Sequence, residues 1–173
     1  MLDEQATANE QFIYEQIKER NEFEHQRSLN LDNKAGNLIG WIGLIISILS
    51  ASNGILFDQD DEVLKITTNE VYLLIIILVF LICSLFFSLV AFRIREYIVV
   101  PEPARSLIEY YKDKSHRTTL KEFTATMSTA IENNKKQNDK KADLITIAWI
   151  LFLTGMSVVS IFVTIQSFRF TTG

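Results

Sequence analysis

The sequence of 173 residues is poor in the residue types that build most catalytic and metal sites, with one cysteine and two histidines. The lone Cys83 excludes a disulfide framework and a cysteine-based metal site. His25 and His116 stand apart in hydrophilic sequence, and neither belongs to a metal-ligand spacing. There is no nucleophile motif and no phosphate-binding glycine loop. The sequence therefore predicts a protein that is not an enzyme and has no cofactor.

Charge is absent from three long apolar stretches, which cover residues 37–57, 71–92 and 144–168. Each stretch reaches the length of about 20 residues that crosses a hydrocarbon core of about 30 Å. Because none of them carries an ionisable group in its deep part, a coupled transporter with an ion site at the midplane is not expected. The sequence predicts an all-α membrane protein with three transmembrane helices, folded as a single membrane domain over 1–173.

Basic residues are distributed unequally around these spans. Four lie in the N-terminal arm (1–35) and eleven in the connecting segment 93–142, against one each in the acidic loop 58–70 and the tail 169–173. Basic residues near span ends stay in the cytoplasm, so the N-terminus is predicted inside and the C-terminal tail outside. The polar first 30 residues argue against a cleavable signal peptide. The expected location is the inner (plasma) membrane, with several passes.

Helix breakers are missing from both segments that lead into the first and third spans. The arm has no glycine or proline before Gly36, so its helix is expected to continue into the first span. From Leu120 to Gly155 there is again neither residue, which predicts one helix running through the third span. The spacing of Thr119 and Glu122 predicts a capping box at the start of that helix.

The connecting segment carries a further predicted helix and an apolar stripe. Pro101 and Pro103 break the chain after the second span, and a helix is expected over 104–111. Four apolar residues then recur at helical spacing and need a partner: Leu120, Phe123, Met127 and Ile131. The partner could be the N-terminal arm, the 104–111 helix or a neighbouring subunit.

The first span carries a row of small residues at a spacing of 4, 3, 4, 3 and 4: Gly36, Gly40, Gly43, Ser47, Ser50 and Gly54. Small residues let helix backbones approach closely in lipid, which favours a packing face within the chain or between copies. A pore-lining face is the alternative. On either interpretation the first span is expected to be interior, whereas the bulky second span is expected to face lipid all round.

A second row, of hydroxyl residues, lies in the outer half of the third span: Ser157, Ser160, Thr164, Ser167 and Thr171. Serine and threonine bond to their own backbone carbonyls, so such a row is compatible with ordinary packing or lipid contact. An aqueous lining in an oligomer is the alternative.

A short motif, Asp-x-Lys-Ala, precedes both the first and the third span. Its residues are Asp32, Lys34 and Ala35 in one copy and Asp139, Lys141 and Ala142 in the other. Because a lysine at the membrane interface can extend its amine to water, these residues are interpreted as interface anchors. The motif predicts that two helices enter the bilayer in equivalent ways.

A basic cluster lies just before the third span and consists of Lys135, Lys136, Lys140 and Lys141. Contact with anionic lipid is one interpretation. The other is a site for a phosphorylated ligand, to which Asn133, Asn134 and Asn138 could donate hydrogen bonds.

Two segments of the chain carry a resemblance to known proteins: Asp32-Asn33-Lys34-Ala35-Gly36 at the first span, and the segment from Ile131-Glu132-Asn133-Asn134 to Lys141-Ala142 before the third. In these segments the chain resembles the Pycsar transmembrane effectors and the related SLATT-type effectors of prokaryotic antiviral defence. The resemblance covers the layout of most of the chain. It implies a cytoplasmic cyclic-nucleotide signal, rearrangement of a homo-oligomer and damage to the inner membrane. No cyclic-nucleotide-binding barrel is present in the sequence, so a ligand site would be helical and cytoplasmic.

Two other functions fit the same features. The small and hydroxyl rows are compatible with a constitutive homo-oligomeric ion channel. The apolar stripes of the arm and connecting segment are compatible with an interaction protein that docks a soluble partner. A nucleic acid polymer is not an expected partner of any of the three.

Overall fold

The computed structural model describes residues 2–56, 67–94, 112 and 114–172, with side chains over 8–51, 67–94, 112 and 114–168. Three helices account for nearly all of these residues: α1 (Leu2–Leu56), α2 (Thr68–Arg93) and α3 (His116–Thr172). Each is long and apolar enough to cross a membrane. The described part of the chain is therefore all-helical, and the protein is a multi-pass membrane protein by the length and composition of its helices, as the sequence predicted.

Both continuous helices are confirmed. α1 has 55 residues and runs from the N-terminal arm to the end of the first apolar stretch. α3 has 57 residues and includes the whole third apolar stretch. No helix breaker interrupts either run before its apolar part, so the i to i−4 hydrogen bonds of an α-helix can continue through both. The acidic loop up to residue 66 and the predicted 104–111 helix lie outside the described residues.

The cap of α3 differs from the prediction. The Ser115 hydroxyl accepts a hydrogen bond from the Thr118 amide (3.3 Å), so Ser115 is the N-cap, four residues before the predicted Thr119. Glu122 instead accepts a 2.6 Å ion-paired hydrogen bond from Lys114. The prediction of a Thr119–Glu122 capping box is therefore wrong, because the Ser115 hydroxyl already accepts a hydrogen bond from an amide of the first turn.

Contacts divide the chain into two compact units. We call Met1–Leu31 with Ile94–Lys141 the arm unit, and Asp32–Arg93 with Ala142–Gly173 the span unit. α1 and α3 each contribute to both. The boundary in α1 lies immediately before Asp32, the first residue of one Asp-x-Lys-Ala motif, and the boundary in α3 lies between Lys141 and Ala142 of the other. The motif therefore marks the positions at which α1 and α3 pass from one unit to the other.

The core of the span unit is a layer of large apolar side chains from all three helices. Its buried members are Leu38, Ile42, Ile77, Leu81, Ala148, Phe152 and Phe162. Burial of such side chains inside a bilayer gains close packing rather than a large hydrophobic driving force. The fit is tight where a Cβ on Gly155 would lie 3.2 Å from the Phe80 Cβ.

The second span is not lipid-facing all round, which corrects the prediction. A stripe along α2 is buried, and its members are Ile77, Leu81, Ser84, Ser88 and Ala91. In the most apolar window of each helix, 22% of the residues of α2 are buried, against 17% for α1. The small side chains at 84, 88 and 91 let α2 approach its neighbours. The first span is therefore no more interior to the chain than the second.

A buried interhelical hydrogen bond joins α2 to α3, and we expect its loss to be measurable. The Ser84 hydroxyl donates to the backbone carbonyl of Ala148 (2.7 Å), whereas the Ser88 hydroxyl donates within α2 to the Ser84 carbonyl (2.9 Å). Ser84→Ala is expected to lower the free energy of unfolding in mixed micelles by about 1 kcal/mol. Ser88→Ala, the matched control, should have a smaller effect, and equal losses for the two variants would contradict the assignment.

Candidate functional site

The arm unit pairs the first part of α1 with the first part of α3 side by side and in the same direction. Near the start of each helix Glu10 contacts Arg117, and about four turns later along α1 Glu24 contacts Asn138. Between these points the rings of Tyr14 and Phe123 pack edge to face, with centroids 6.4 Å apart. Of the three partners left open for the apolar stripe of α3, the structure brings the N-terminal arm to it.

Two basic residues hold Glu10 near the beginning of the arm unit. The Arg117 Nε donates to both carboxylate oxygens (3.0 and 3.2 Å), and the Lys121 Nζ lies 3.5 Å from Oε1. Loss of solvent raises the pKa of Glu10, but the hydrogen bond from Arg117 and the charges of Arg117 and Lys121 outweigh it. The net result is a pKa below the ordinary value for a glutamate.

The ion pair between Arg117 and Glu10 predicts how the pKa of Glu10 changes when Arg117 is replaced. Arg117→Ala should raise the Glu10 pKa towards its ordinary value. Carbon NMR of the isotope-labelled Glu10 carboxyl, in protein dissolved in micelles, measures this change. Because the folded pKa is depressed, the stabilisation is present above the ordinary pKa and is lost as the pH falls through the folded pKa. Ser128→Ala, a neutral change farther along α3, is the control. An unchanged Glu10 pKa in Arg117→Ala would show that the contact does not exist in solution.

A shallow groove of about 350 Å³ runs between the two helices beside this ion pair. Its lining is mainly aliphatic and small, from Ile13, Ile17, Leu120, Thr124, Ala125 and Ser128, with Glu10 and Lys121 at one end. Lys121 is already paired with Glu10. The predicted basic cluster contributes no residue to this groove, so the groove and the proposed anionic contact are separate places in the arm unit.

Five polar residues are buried together farther along the same pair of helices, and we call them the polar layer: Glu24, Ser28, Asn134, Asn138 and Lys141. The Asn138 Nδ2 donates to both the backbone carbonyl and the carboxylate of Glu24, each at 2.9 Å. The Lys141 Nζ lies 3.4 Å from the Ser28 hydroxyl. The layer links α1 to α3 through side chains that bury charge and amide groups together.

An exposed ion pair covers one side of the polar layer. The Arg27 guanidinium donates to the Asp139 carboxylate at 2.7 Å and lies 3.6 Å from the Glu24 carboxylate. The hydrogen bond to Asp139, with the nearby charges, raises the pKa of Arg27 above its ordinary value. Asp139, one of the predicted anchors, thus contacts α1 within the arm unit, and Arg27 was not predicted to take part.

The two copies of Asp-x-Lys-Ala are not equivalent in three dimensions. In the first copy Ala35 is buried and Lys34 is exposed. In the second copy the lysine, Lys141, is the buried residue, at 3% exposure. The buried position has moved by one residue, which turns the motif by about 100° around the helix. The two copies therefore differ in which residue packs within the chain, and the equivalent entry of the two helices into the bilayer stays a prediction.

The predicted basic cluster is divided by the same finding. Lys135, Lys136 and Lys140 are exposed, whereas Lys141 points into the polar layer. Asn134 and Asn138 are also buried, and the Asn138 amide donates to Glu24 of α1. A contact with lipid headgroups or a phosphorylated ligand at this place would involve the three exposed lysines alone.

The small face of the first span lies on the outside of the chain. A Cβ added to Gly36, Gly40 or Gly43 would touch none of the described residues within 4 Å, and Ser47 and Ser50 are exposed. The buried face of α1 passes instead through Ala35, Leu38 and Ile42. The prediction that these three glycines pack within the chain is therefore wrong for the part of the chain that the structure describes, and a contact between copies or a pore face stays a prediction. The surroundings of Gly54 are outside the described residues.

The hydroxyl row of the third span is exposed as well. Ser157, Ser160, Thr164 and Ser167 each donate to the carbonyl four residues earlier, at 2.8–3.0 Å. Thr171 lies beyond the described side chains. Self-bonded hydroxyls are compatible with lipid as well as with water. The row is therefore available on the surface of the chain, and its use as an aqueous lining stays a prediction.

Sequence reasoning did not single out Glu24, Ser28 or Arg27 as site residues. The signal was present in the spacing, because Glu24, Ser28, Leu31, Ala35, Leu38 and Ile42 follow one another at 4, 3, 4, 3 and 4. This is the heptad spacing of knobs-into-holes packing, with its first two positions polar. Among the described residues, no group of three or more histidine, cysteine or acidic side chains could hold a metal ion.

Comparisons of this chain with known proteins found no similar protein. No protein-family description, no curated protein and no solved structure matches the chain.

Proposed function

We propose that the chain is a non-enzymatic membrane effector of the Pycsar and SLATT type, which receives a cytoplasmic signal and impairs the membrane as a homo-oligomer. One observation carries the proposal: α1 and α3 each run without interruption from the arm unit into a membrane-length apolar segment. A helix transmits axial and rotational displacement along its length because its hydrogen bonds resist local deformation. A signal that repacks the arm unit would therefore move two of the three spans.

The arm unit is the proposed receiving part, on the cytoplasmic side of the inner membrane. The distribution of basic residues supports this orientation, with fifteen in the arm and connecting segments and two elsewhere. Lys135, Lys136 and Lys140 are exposed in the arm unit and could contact a cyclic nucleotide phosphate or an anionic headgroup. The resemblance implies a pyrimidine cyclic mononucleotide as the signal.

The spans are the proposed effector part. Gly36, Gly40 and Gly43 leave a side of α1 without side chains, where a second copy could approach closely. No residue that the structure describes covers this face, which supports its use between copies. Association through it would build the homo-oligomer that the proposed activity requires.

A constitutive ion channel is the second candidate. The exposed rows of Ser157, Ser160 and Thr164 favour it, because hydroxyls that already bond to their own helix can line water without further partners. This candidate needs no signal and predicts conductance in a bilayer that contains the protein alone.

An interaction protein that docks a soluble partner is the third candidate. Phe12 and Phe23 support it, because both are exposed by more than 60% on the arm of α1. Large apolar side chains on a water-facing helix are typical of a surface that meets another protein.

The membrane potential of bacteria that express the protein separates these functions. The effector is expected to leave the potential intact until a cyclic nucleotide is produced in the same cell, and then to collapse it. A potential that collapses without any cyclase favours the channel. Cells that stay polarised with every purine and pyrimidine cyclase tested, although the protein is inserted, would contradict both and favour the docking protein. The matched control is a variant with Lys135, Lys136 and Lys140 changed to glutamine, which removes the exposed cations.

A further inference from the structure

The polar layer interrupts an otherwise apolar packing stripe on α3. The residues before it at the same spacing are Met127 and Ile131, and those after it are Ile145 and Ala148. Between them, Asn134, Asn138 and Lys141 occupy three successive stripe positions, and all are at most 3% exposed. On α1, Glu24 and Ser28 precede the apolar Leu31 in the same way. Two pairs of polar residues, Glu24 with Asn138 and Ser28 with Lys141, therefore join the two helices inside the arm unit.

Such a layer contributes little to stability. Burying a carboxylate and an ammonium costs desolvation free energy that their contacts only partly return, and apolar residues of similar size are often as stable. Asn138 offsets part of this cost, since its amide satisfies both the carboxylate and the carbonyl of Glu24. The feature that the layer does provide is a unique set of partners.

A shift of the two helices by one heptad, about 10.5 Å, shows why the partners are unique. The Glu24 carboxylate would then lie opposite Ile131 or Ile145 instead of Asn138. In the same shift the Asn138 amide would lie opposite Ile17 or Leu31. Apolar stripe residues exchange partners at small cost, but a buried carboxylate opposite isoleucine is strongly unfavourable.

We infer that the polar layer is a register lock, which fixes the axial position of α1 against α3 in the arm unit. This role is independent of the function proposed above, because it concerns the pairing of helices and requires no signal and no membrane permeability. It is the role that a single buried asparagine has in coiled coils, where it selects one register at a cost in stability. With the lock intact, α1 and α3 cannot slide along each other by a heptad in the arm unit.

Cysteine cross-linking in native membranes tests the lock on the full chain with Cys83→Ser. The pair Tyr14→Cys and Phe123→Cys reports the observed register, since these two rings are in contact. The pair Tyr14→Cys and Ala130→Cys reports a shift of one heptad. With the native polar layer, mild oxidation is expected to join the first pair and not the second.

Removing both partners should release the lock. In Glu24→Leu with Asn138→Leu, the disulfide between positions 14 and 130 is expected to rise at least about tenfold, which corresponds to about 1.4 kcal/mol between registers. Glu24→Gln, which keeps an acceptor for the Asn138 amide, is the matched control and should retain the single register. Glu24→Ala with Asn138→Ala repeats the test without overpacking if the leucine pair does not accumulate. Cross-linking confined to positions 14 and 123 in the double variants, or present in both registers with the native layer, would overturn the lock.

Discussion

Replacing Gly155 with leucine is expected to separate α3 from α2 in the span unit and to lower the free energy of unfolding by about 3 kcal/mol. A Cβ at this position would already lie 3.2 Å from the Phe80 Cβ and within 4 Å of two Leu81 side-chain atoms. The Phe80 Cβ is bonded to the backbone and cannot rotate away, so the larger leucine side chain must displace the helix itself. Unfolding in mixed micelles by increasing amounts of SDS measures the loss.

Gly43→Leu is the matched control for this prediction. The same side chain is added to a glycine in a membrane-spanning helix, but a Cβ at Gly43 would meet no atom of the described residues within 4 Å. The stability of the single chain should therefore be unchanged. Gly155→Ala should give a smaller loss than Gly155→Leu. Equal stabilities for Gly155→Leu and Gly43→Leu would show that α2 and α3 do not pack at Gly155.

Leucine at all three exposed glycines of the first span is expected to have the opposite effect, with a stable chain and a lost assembly. In the triple variant Gly36→Leu, Gly40→Leu and Gly43→Leu, association between copies should weaken by at least about tenfold. The reason is that helices approach each other closely only where glycine leaves no side chain between them. The oligomer distribution after amine cross-linking in native membranes measures this loss, and dye release from vesicles should fall with it.

The two interpretations of the glycine face give different results in this variant. A packing face between copies predicts smaller oligomers and no release, whereas a pore face predicts intact oligomers that no longer conduct. Trp41→Leu, at an exposed position of the same helix, is the control and should leave both properties unchanged. Unaltered oligomers together with unaltered release would exclude both roles for this face.

Helices and their continuity could be predicted from the sequence because they depend on local composition. The absence of glycine and proline between Leu120 and Gly155 predicted one helix, and α3 is one helix. Length and hydropathy likewise predicted three spans. The start of α3 was placed four residues too late, since both Ser115 and Thr119 are suitable caps and local sequence does not choose between them.

The choice of the buried face could not be predicted, because two rows on α1 share the same spacing. Gly36, Gly40 and Gly43 follow one another at 4 and 3 residues, and so do Ala35, Leu38 and Ile42 with the order reversed. Only the partner helices decide between the two rows. They favour the row whose leucine and isoleucine fill the core, and the glycines are left outside.

Polar contacts between residues far apart in the sequence could not be predicted either. The Ser84 hydroxyl donates to a backbone carbonyl 64 residues away. Because every residue has a backbone carbonyl, the sequence does not indicate which one accepts this hydrogen bond. Lys141 resembled Lys34 in its local motif, yet one is buried and the other exposed. The difference arises from a heptad register that places position 141 between α1 and α3.

The release of a dye and of potassium from vesicles that contain only the purified protein tests the proposed function most directly. The vesicles carry inner-membrane lipids, and cyclic mononucleotides of all four bases are added one at a time from the side of the arm unit. We predict that the vesicles stay sealed without nucleotide and leak when one of the pyrimidine cyclic nucleotides is added. Vesicles that remain sealed with every nucleotide, although the protein is inserted and assembled, would contradict the account.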